Sequence, residues 1–308
     1  MRAAFGSCRT PHRGRLAALL VLFLTVTAPA LAQEGVLLLA HGGRQEWNER
    51  VEALAARIDD EQPVEVAFGM ASQASMQAAI DRLTMRGVSS IVAVPLFVSS
   101  HSSVITSTEY LLGLRAEPPP ELALFVKMDH AHHTPTDAPA SEPPDPTARL
   151  RIPVPIRMTS ALDRHPLVAD ILTSRAQSLS RDPAGEAIVI VAHGPTSDGE
   201  NQQWLDDMAS LAAHIRAATS FGAVDYLTVR DDAAPEVREA ATTELRMLVS
   251  TRLSEGYRVL VVPLVISYGG IEEGIRTRLE GLDVAIAEQG LMPDDRLVEW
   301  VRAIAASR

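Results

Sequence analysis

The residues with the clearest chemical potential are two histidines, each just past a short apolar run. One run is Gly35-Val-Leu-Leu-Leu-Ala-His41-Gly42-Gly43 and the other is Ser90-Ile-Val-Ala-Val-Pro95-Leu-Phe-Val-Ser-Ser-His101. Apolar runs of this length read as strands buried on both faces, and residues at their ends gather at the carboxyl edge of a parallel sheet, where α/β sites form. Two imidazoles facing one cleft make an open site for a divalent ion such as cobalt, nickel, zinc or iron(II) rather than magnesium. A neutral imidazole also accepts protons near neutral pH. Each ring alone has an ordinary structural reading, a hydrogen bond to a loop carbonyl. The surroundings favour the functional one. Gly42 and Gly43 let a ligand approach the backbone, a helix opening near Arg44 offers N–H groups to an anion, and Ser99, Ser100, Ser102 and Ser103 surround His101 with hydroxyls.

The first of these runs occurs again as Ala187-Ile-Val-Ile-Val-Ala-His193-Gly194-Pro195, and the second as Tyr257-Arg-Val-Leu-Val-Val-Pro263-Leu-Val-Ile-Ser267. Two agreements in the same order point to a duplicated α/β unit. Aligning Pro95 with Pro263 puts Gly269 where His101 stands, so the second copy keeps His193 and loses its partner. That copy is expected to form the other wall of a cleft, with His193 as well suited to a structural role as to a functional one.

Short β-branched runs alternate with amphipathic stretches, the pattern of βαβ units around a parallel sheet. In the first half, strands are expected over 36–40, 63–68 and 90–98, and helices over 46–58, 75–86 and 104–114. An edge strand over 151–156 and a helix over 165–179 follow. In the second half, strands are expected over 188–192, 223–229 and 257–267, with helices over 202–218 and 235–254. Residues 116–149 carry eight prolines and read as an exposed, partly disordered insertion, interrupted by one strand over 122–126. The domains are therefore expected at 35–182 and 187–308: two Rossmann-like lobes, each a parallel sheet flanked by helices, with a cleft between them.

Residues 1–32 carry Arg2, Arg9, Arg13 and Arg15 before an apolar run that ends in Ala30-Leu31-Ala32, the pattern of a secretory signal peptide, with an uncleaved N-terminal anchor as the alternative. Export to the periplasm or medium is the expectation, with no membrane span after cleavage and a monomer compatible with the duplication. These residues hold four Arg and no acid, so their loss takes the formal charge from −11 to −15. Such a balance argues against a nucleic-acid partner. Cys8, the only cysteine, falls in the leader, which leaves histidine and carboxylate as the strong metal ligands. Asp231-Asp232 and Glu272-Glu273 read first as solvated loop charges, with metal contact as the alternative. His130, His132 and His133 read as solvated, with weak transition-metal binding as the alternative. No phosphate-cradling glycine loop, dinucleotide fingerprint, nucleophile elbow or His-Glu-x-x-His motif is present, so no nucleotide cofactor is expected.

Leu-Ala-His41-Gly-Gly-Arg, Val-Glu-Val-Ala-Phe68, Val-Pro95-Leu-Phe-Val-Ser-Ser-His101 and Leu162-Asp-Arg-His165-Pro-Leu-Val resemble, in order, the class II chelatases of the sirohydrochlorin cobaltochelatase and ferrochelatase (CbiX/SirB) type. The resemblance runs from about residue 35 to 180, with a weaker copy from 187 onward. It implies ATP-independent insertion of Co2+ or Fe2+, with Ni2+ as a further candidate, into a tetrapyrrole, with His41 and His101 as the active-site histidines and metal ligands. Gly42, Gly43, Arg44, Ser99, Ser100 and Ser102 would receive the carboxylate-rich macrocycle. The chain departs from the family after Phe68, where Gly69-Met70-Ala71 lacks the usual acidic residue. The alternative is a non-catalytic periplasmic metal- or tetrapyrrole-binding protein on the same scaffold.

Overall fold

The computed structural model describes residues 33–125, 145 and 148–307. The leader and the histidines 130, 132 and 133 lie outside the described residues. Buried apolar runs form the strands and one-sided apolar stripes form the helices, in two passes. The first pass is β1 (Glu34–Ala40), α1 (Gln45–Asp59), β2 (Val64–Phe68), α2 (Gln73–Met85), β3 (Ser90–Leu96), α3 (Ser103–Leu111), β4 (Ile156–Met158) and α4 (Pro166–Leu179). The second is β5 (Glu186–Ala192), α5 (Asp198–Ala218), β6 (Ala223–Thr228), α6 (Pro235–Ser254), β7 (Arg258–Leu264), α7 (Ile271–Arg278), β8 (Val284–Ile286) and α8 (Arg296–Ala306).

Each pass makes a four-stranded sheet, in the orders β2-β1-β3-β4 and β6-β5-β7-β8, with every pairing parallel. The registers match. Ala40 lies opposite Phe68 and Leu96, and Ala192 lies opposite Thr228 and Leu264. This is the expected α/β architecture of two similar lobes.

The sheets face one another across shared helices. Val36, Leu38 and Ala40 from β1, and Ile188, Ile190 and Ala192 from β5, enter one central core with residues of α1, α4, α5 and α8. The alternate residues point outward. Leu37 and Leu39 pack on α2 and α3, and Val189 and Val191 pack on α6 and α7. Burial on both faces explains why these strands read as unbroken apolar runs.

Two of the inner helices are exchanged between the halves. α4 follows the first sheet in sequence but packs against β7 of the second, and α8 closes the second half but packs against β3 of the first. Polar contacts fix both. Arg175 of α4 donates to the carbonyls of Gly290, Leu291 and Pro293 at 2.9, 3.1 and 2.9 Å, and Arg157 of β4 donates to the carbonyl of Ala305 in α8.

Two expectations need correction. The edge strand lies over Ile156–Met158 rather than 151–156, because Pro153 and Pro155 have no N–H to give a ladder; pairing begins where the Pro155 carbonyl accepts from Ile91 N–H at 2.9 Å. Residues 122–125 are helical rather than extended. A helical turn places Leu122 and Phe125, three apart, on one side, and both are buried in the outer core of the first sheet. The insertion is therefore anchored at its described ends, where the Arg149 guanidinium sits 5.0 Å over the Tyr110 ring and donates to the carbonyls of Arg115 and Ala116, each at 2.9 Å.

Candidate active site

β1 and β3 are neighbours, yet β2 intervenes between them in sequence on the far side of β1. The chain thus leaves β1 in one direction and β3 in the other, and a crevice opens at the carboxyl edge between them, the usual ligand position in open α/β sheets. His41 is the first residue past β1, and His101 stands five residues past the end of β3. The fold brings both to this one edge.

His41 is exposed, with ring Nδ1 2.7 Å from the Gly42 carbonyl oxygen. The turn after it needs glycine: Gly42 has φ +77°, and a Cβ there would sit 3.3 Å from that of Phe68. Gly43 N–H donates to Asn48 Oδ1 at 2.9 Å. Beneath Gly43 lies Trp47, which meets Phe68 edge-on at 6.5 Å between ring centroids. Arg44 is the N-cap of α1, makes no side-chain capping bond and is exposed, so its guanidinium is available to an anionic ligand.

The serines around His101 hold the loop itself. Ser99 is buried and its Oγ accepts from His101 N–H at 3.1 Å. Ser100 donates through N–H to Asp163 Oδ1 at 2.6 Å and through Oγ to Oδ2 at 2.8 Å, while accepting from Ala161 N–H at 2.8 Å. Ser102 caps α3, accepting from Ile105 N–H. Asp163 achieves its bidentate reach with φ +43°, a left-handed conformation that aspartate tolerates better than most residues.

The other lobe completes this edge. Trp204, on the inner face of α5, donates its indole N–H to the His101 carbonyl at 2.8 Å. Asp207, three residues on and so on the same helix face, directs Oδ2 to 3.9 Å from His101 Nε2. The His101 side chain is 37% exposed and that of Asp207 only 13%, and Oδ2 is buried with no hydrogen-bond partner among the described residues. Burial, reinforced by the nearby charge of Asp163, pushes the Asp207 carboxyl above the usual carboxylate range against the opposing pull of His101 and Arg164. Sequence reasoning missed Asp207 and Asp163 and assigned Trp204 to the core. Their partners belong to distant elements, and no local spacing announces them.

At the second edge His193 follows β5, and Gly194 makes the same turn at φ +75°. His193 Nε2 lies 3.3 Å from Asp232 Oδ2, whose side chain is 75% exposed. Asp231, its neighbour, pairs with Arg278. Glu272 caps the start of α7, accepting from the N–H groups of Gly269 and Gly270 at 3.1 and 3.0 Å. Neither pair is simply solvated. Gly269 faces the first lobe, where a Cβ would lie 3.8 Å from the Trp47 ring, and Ser267 Oγ accepts from Arg50 of α1 at 2.8 Å. Each lobe thus lays its first helix on the other lobe's site loop. Among the described residues no three His, Cys, Asp or Glu side chains converge as a metal-holding group. No helix of the described residues is long and apolar enough to cross a membrane.

Residues 35–179 match the CbiX family model. In structure the chain is similar to SirB from Bacillus subtilis with Fe3+, at 15% identity and TM-score 0.58 over 89% of this chain and 96% of that one. It is also similar to the sirohydrochlorin chelatase SirB from Bacillus subtilis subspecies spizizenii in complex with cobalt, at 12% identity and TM-score 0.53 over 89% and 94%. A third similar structure is DR2241 from Deinococcus radiodurans, described as a multi-domain protein with structural similarity to chelatases, at 18% identity and TM-score 0.51 over 89% of this chain and 55% of that one. No curated protein matches the sequence. The matched segment, residues 35–179, contains both His41 and His101, and over this N-terminal half the chain is similar to the CbiX family, the class II chelatases that its motifs resemble.

Proposed function

We propose that this protein is a sirohydrochlorin-type chelatase that inserts Co2+ or Fe2+ into a tetrapyrrole without ATP. The observation that carries the reading is the emergence of His41 and His101 from adjacent parallel strands at the reversal point of the first sheet. In that reading the metal is substrate. The imidazoles replace part of its water shell and present it to four pyrrolic nitrogens, and one divalent ion enters as two N–H protons leave, accepted by a neutral imidazole or by water. Arg44 meets a macrocycle carboxylate by a charge-assisted hydrogen bond, and Gly42 and Gly43 let the ring lie close to the backbone. The inward-turned hydroxyls give Ser99, Ser100 and Ser102 the task of shaping the His101 loop, in place of direct contact with substrate.

Support comes from the family match over both histidines, from two similar structures described as holding Fe3+ or cobalt, and from the lack of any nucleotide-binding motif in the sequence. The reading extends to an exported protein acting outside the cytoplasm. The test mixes leaderless protein with sirohydrochlorin and Co2+ or Fe2+ and follows the visible spectrum of the macrocycle. Insertion faster than in the metal-only control, without nucleotide, is the expected result. Retained tetrapyrrole binding with no acceleration would overturn it in favour of a carrier.

A further inference from the structure

Two neutral imidazoles leave a divalent ion with its full charge, and an anionic oxygen ligand offsets it. The first lobe supplies none from its main loops. Residues 41–44, 69–72 and 97–102, which follow β1, β2 and β3, contain no acid. The loop after β4 has Asp163, but Ser100 engages both its oxygens. Asp207 approaches from the other lobe, aimed at His101, with a buried oxygen that has no hydrogen-bond partner among the described residues. A buried carboxylate oxygen with no hydrogen bond is costly, and the arrangement, with only the His101 ring facing that oxygen among the described residues, is best accounted for by a cation that visits it. Its distance to His101 Nε2, 3.9 Å, is too long for a hydrogen bond. Two metal–ligand bonds of about 2.0–2.2 Å meeting at one tetrahedral ion would set these atoms roughly 3.3–3.6 Å apart, so a small inward turn of either side chain closes the pair on a metal.

We infer that Asp207 is a ligand to the substrate metal, which sits between Asp207 Oδ2 and His101 Nε2 and is therefore held by both lobes. Trp204, which anchors the His101 carbonyl from the same helix face, keeps the two ligand atoms in register. The remaining coordination positions stay open to water and then to the macrocycle, as release requires. The inference rests on the proposed role of His101, and its test separates the two.

Co2+ alone is titrated into the leaderless protein and its visible absorption is read. Asp207→Asn, which keeps the shape, and Asp207→Ser, which removes it, are each expected to weaken Co2+ binding by at least about ten-fold, the lower end of what disturbing a metal site's support costs. Both are also expected to alter the Co2+ bands while the far-UV circular dichroism stays unchanged. Two folded Asp207 variants that bind Co2+ as the wild type does, beside a His101→Ala protein that does not, would overturn this inference and leave the chelatase reading intact. Co2+ binding that depends on Asp207 without accelerated insertion would do the reverse. Wild type that fails to bind Co2+ would overturn both.

Discussion

The two lobes share strand order, register and the left-handed glycine turn after the first strand, at Gly42 and Gly194, but they differ at the residues to which the proposal gives the chemistry. The first keeps histidines after both central strands and has no acid after its β2. The second keeps one histidine, puts Gly269 in place of the other, and has Asp232 beside His193. A duplicated scaffold tolerates this because register and turn geometry are set by the buried backbone, whereas the site side chains project from an edge where little packing constrains them. The second lobe is freed to present α5, and with it Trp204 and Asp207, to the first lobe's site.

The largest expected effect breaks the comparison outright. His41→Ala and His101→Ala should each lower kcat/KM for metal insertion by roughly 100-fold or more, as loss of a positioned ligand or base does, while His193→Ala should stay within about three-fold. Steady-state insertion assays on the three variants decide it. Equal losses at His101 and His193 would mean two active lobes.

Next come the shared turns. Gly194→Ala places a Cβ 2.6 Å from that of Thr228, while Gly42→Ala places one 3.3 Å from that of Phe68. Both add left-handed strain, so urea unfolding should show losses of about 1–3 kcal/mol, larger at Gly194 where a rigid β-branched neighbour must also move. The reverse order would show that the second lobe's turn is the more pliable one.

A smaller effect attends the contact between lobes. Trp204→Phe keeps an aromatic ring but leaves the His101 carbonyl without its indole donor, and should cost about 1 kcal/mol in the same unfolding measurement. No loss would show the His101 loop to be held from its own lobe alone.

The smallest effect is a slope. Glu186 is buried at the start of β5. Burial alone would raise its carboxyl pKa, but hydrogen bonds from Ser180, Arg181 N–H and Arg258 outweigh it and hold the group below the usual carboxylate range. A depressed folded pKa gives stability that is complete above the unfolded value and is lost as pH falls through the folded one. Glu186→Gln should therefore flatten the decline of the urea midpoint on the acid side of about pH 4.5, and an unchanged slope would contradict the assignment.

Much of this was legible in the chain because the central strands are buried on both faces. Apolar runs ending in Ala-His-Gly and Val-Pro-Leu announce strand, edge and duplication together. What escaped has physical causes. α7 buries Ile275 alone among its residues and β8 has three residues, so neither carries a periodic signal. α8 does carry one, with Leu297, Val298, Trp300, Val301 and Ala305 buried, but its packing against β3 of the other half follows from topology. The acids at the site were illegible for the same reason. Asp207 reads as one more charge on a long helix until the fold sets it against His101.

The central claim is that one metal position exists and that both lobes build it. A crystal of the leaderless protein soaked with Co2+ and measured for anomalous scattering tests this directly. The account predicts one strong peak about 2.0–2.2 Å from both His101 Nε2 and Asp207 Oδ2, with none at His193. A peak held by His193 and Asp232, or one at His101 from which Asp207 turns away, would contradict it.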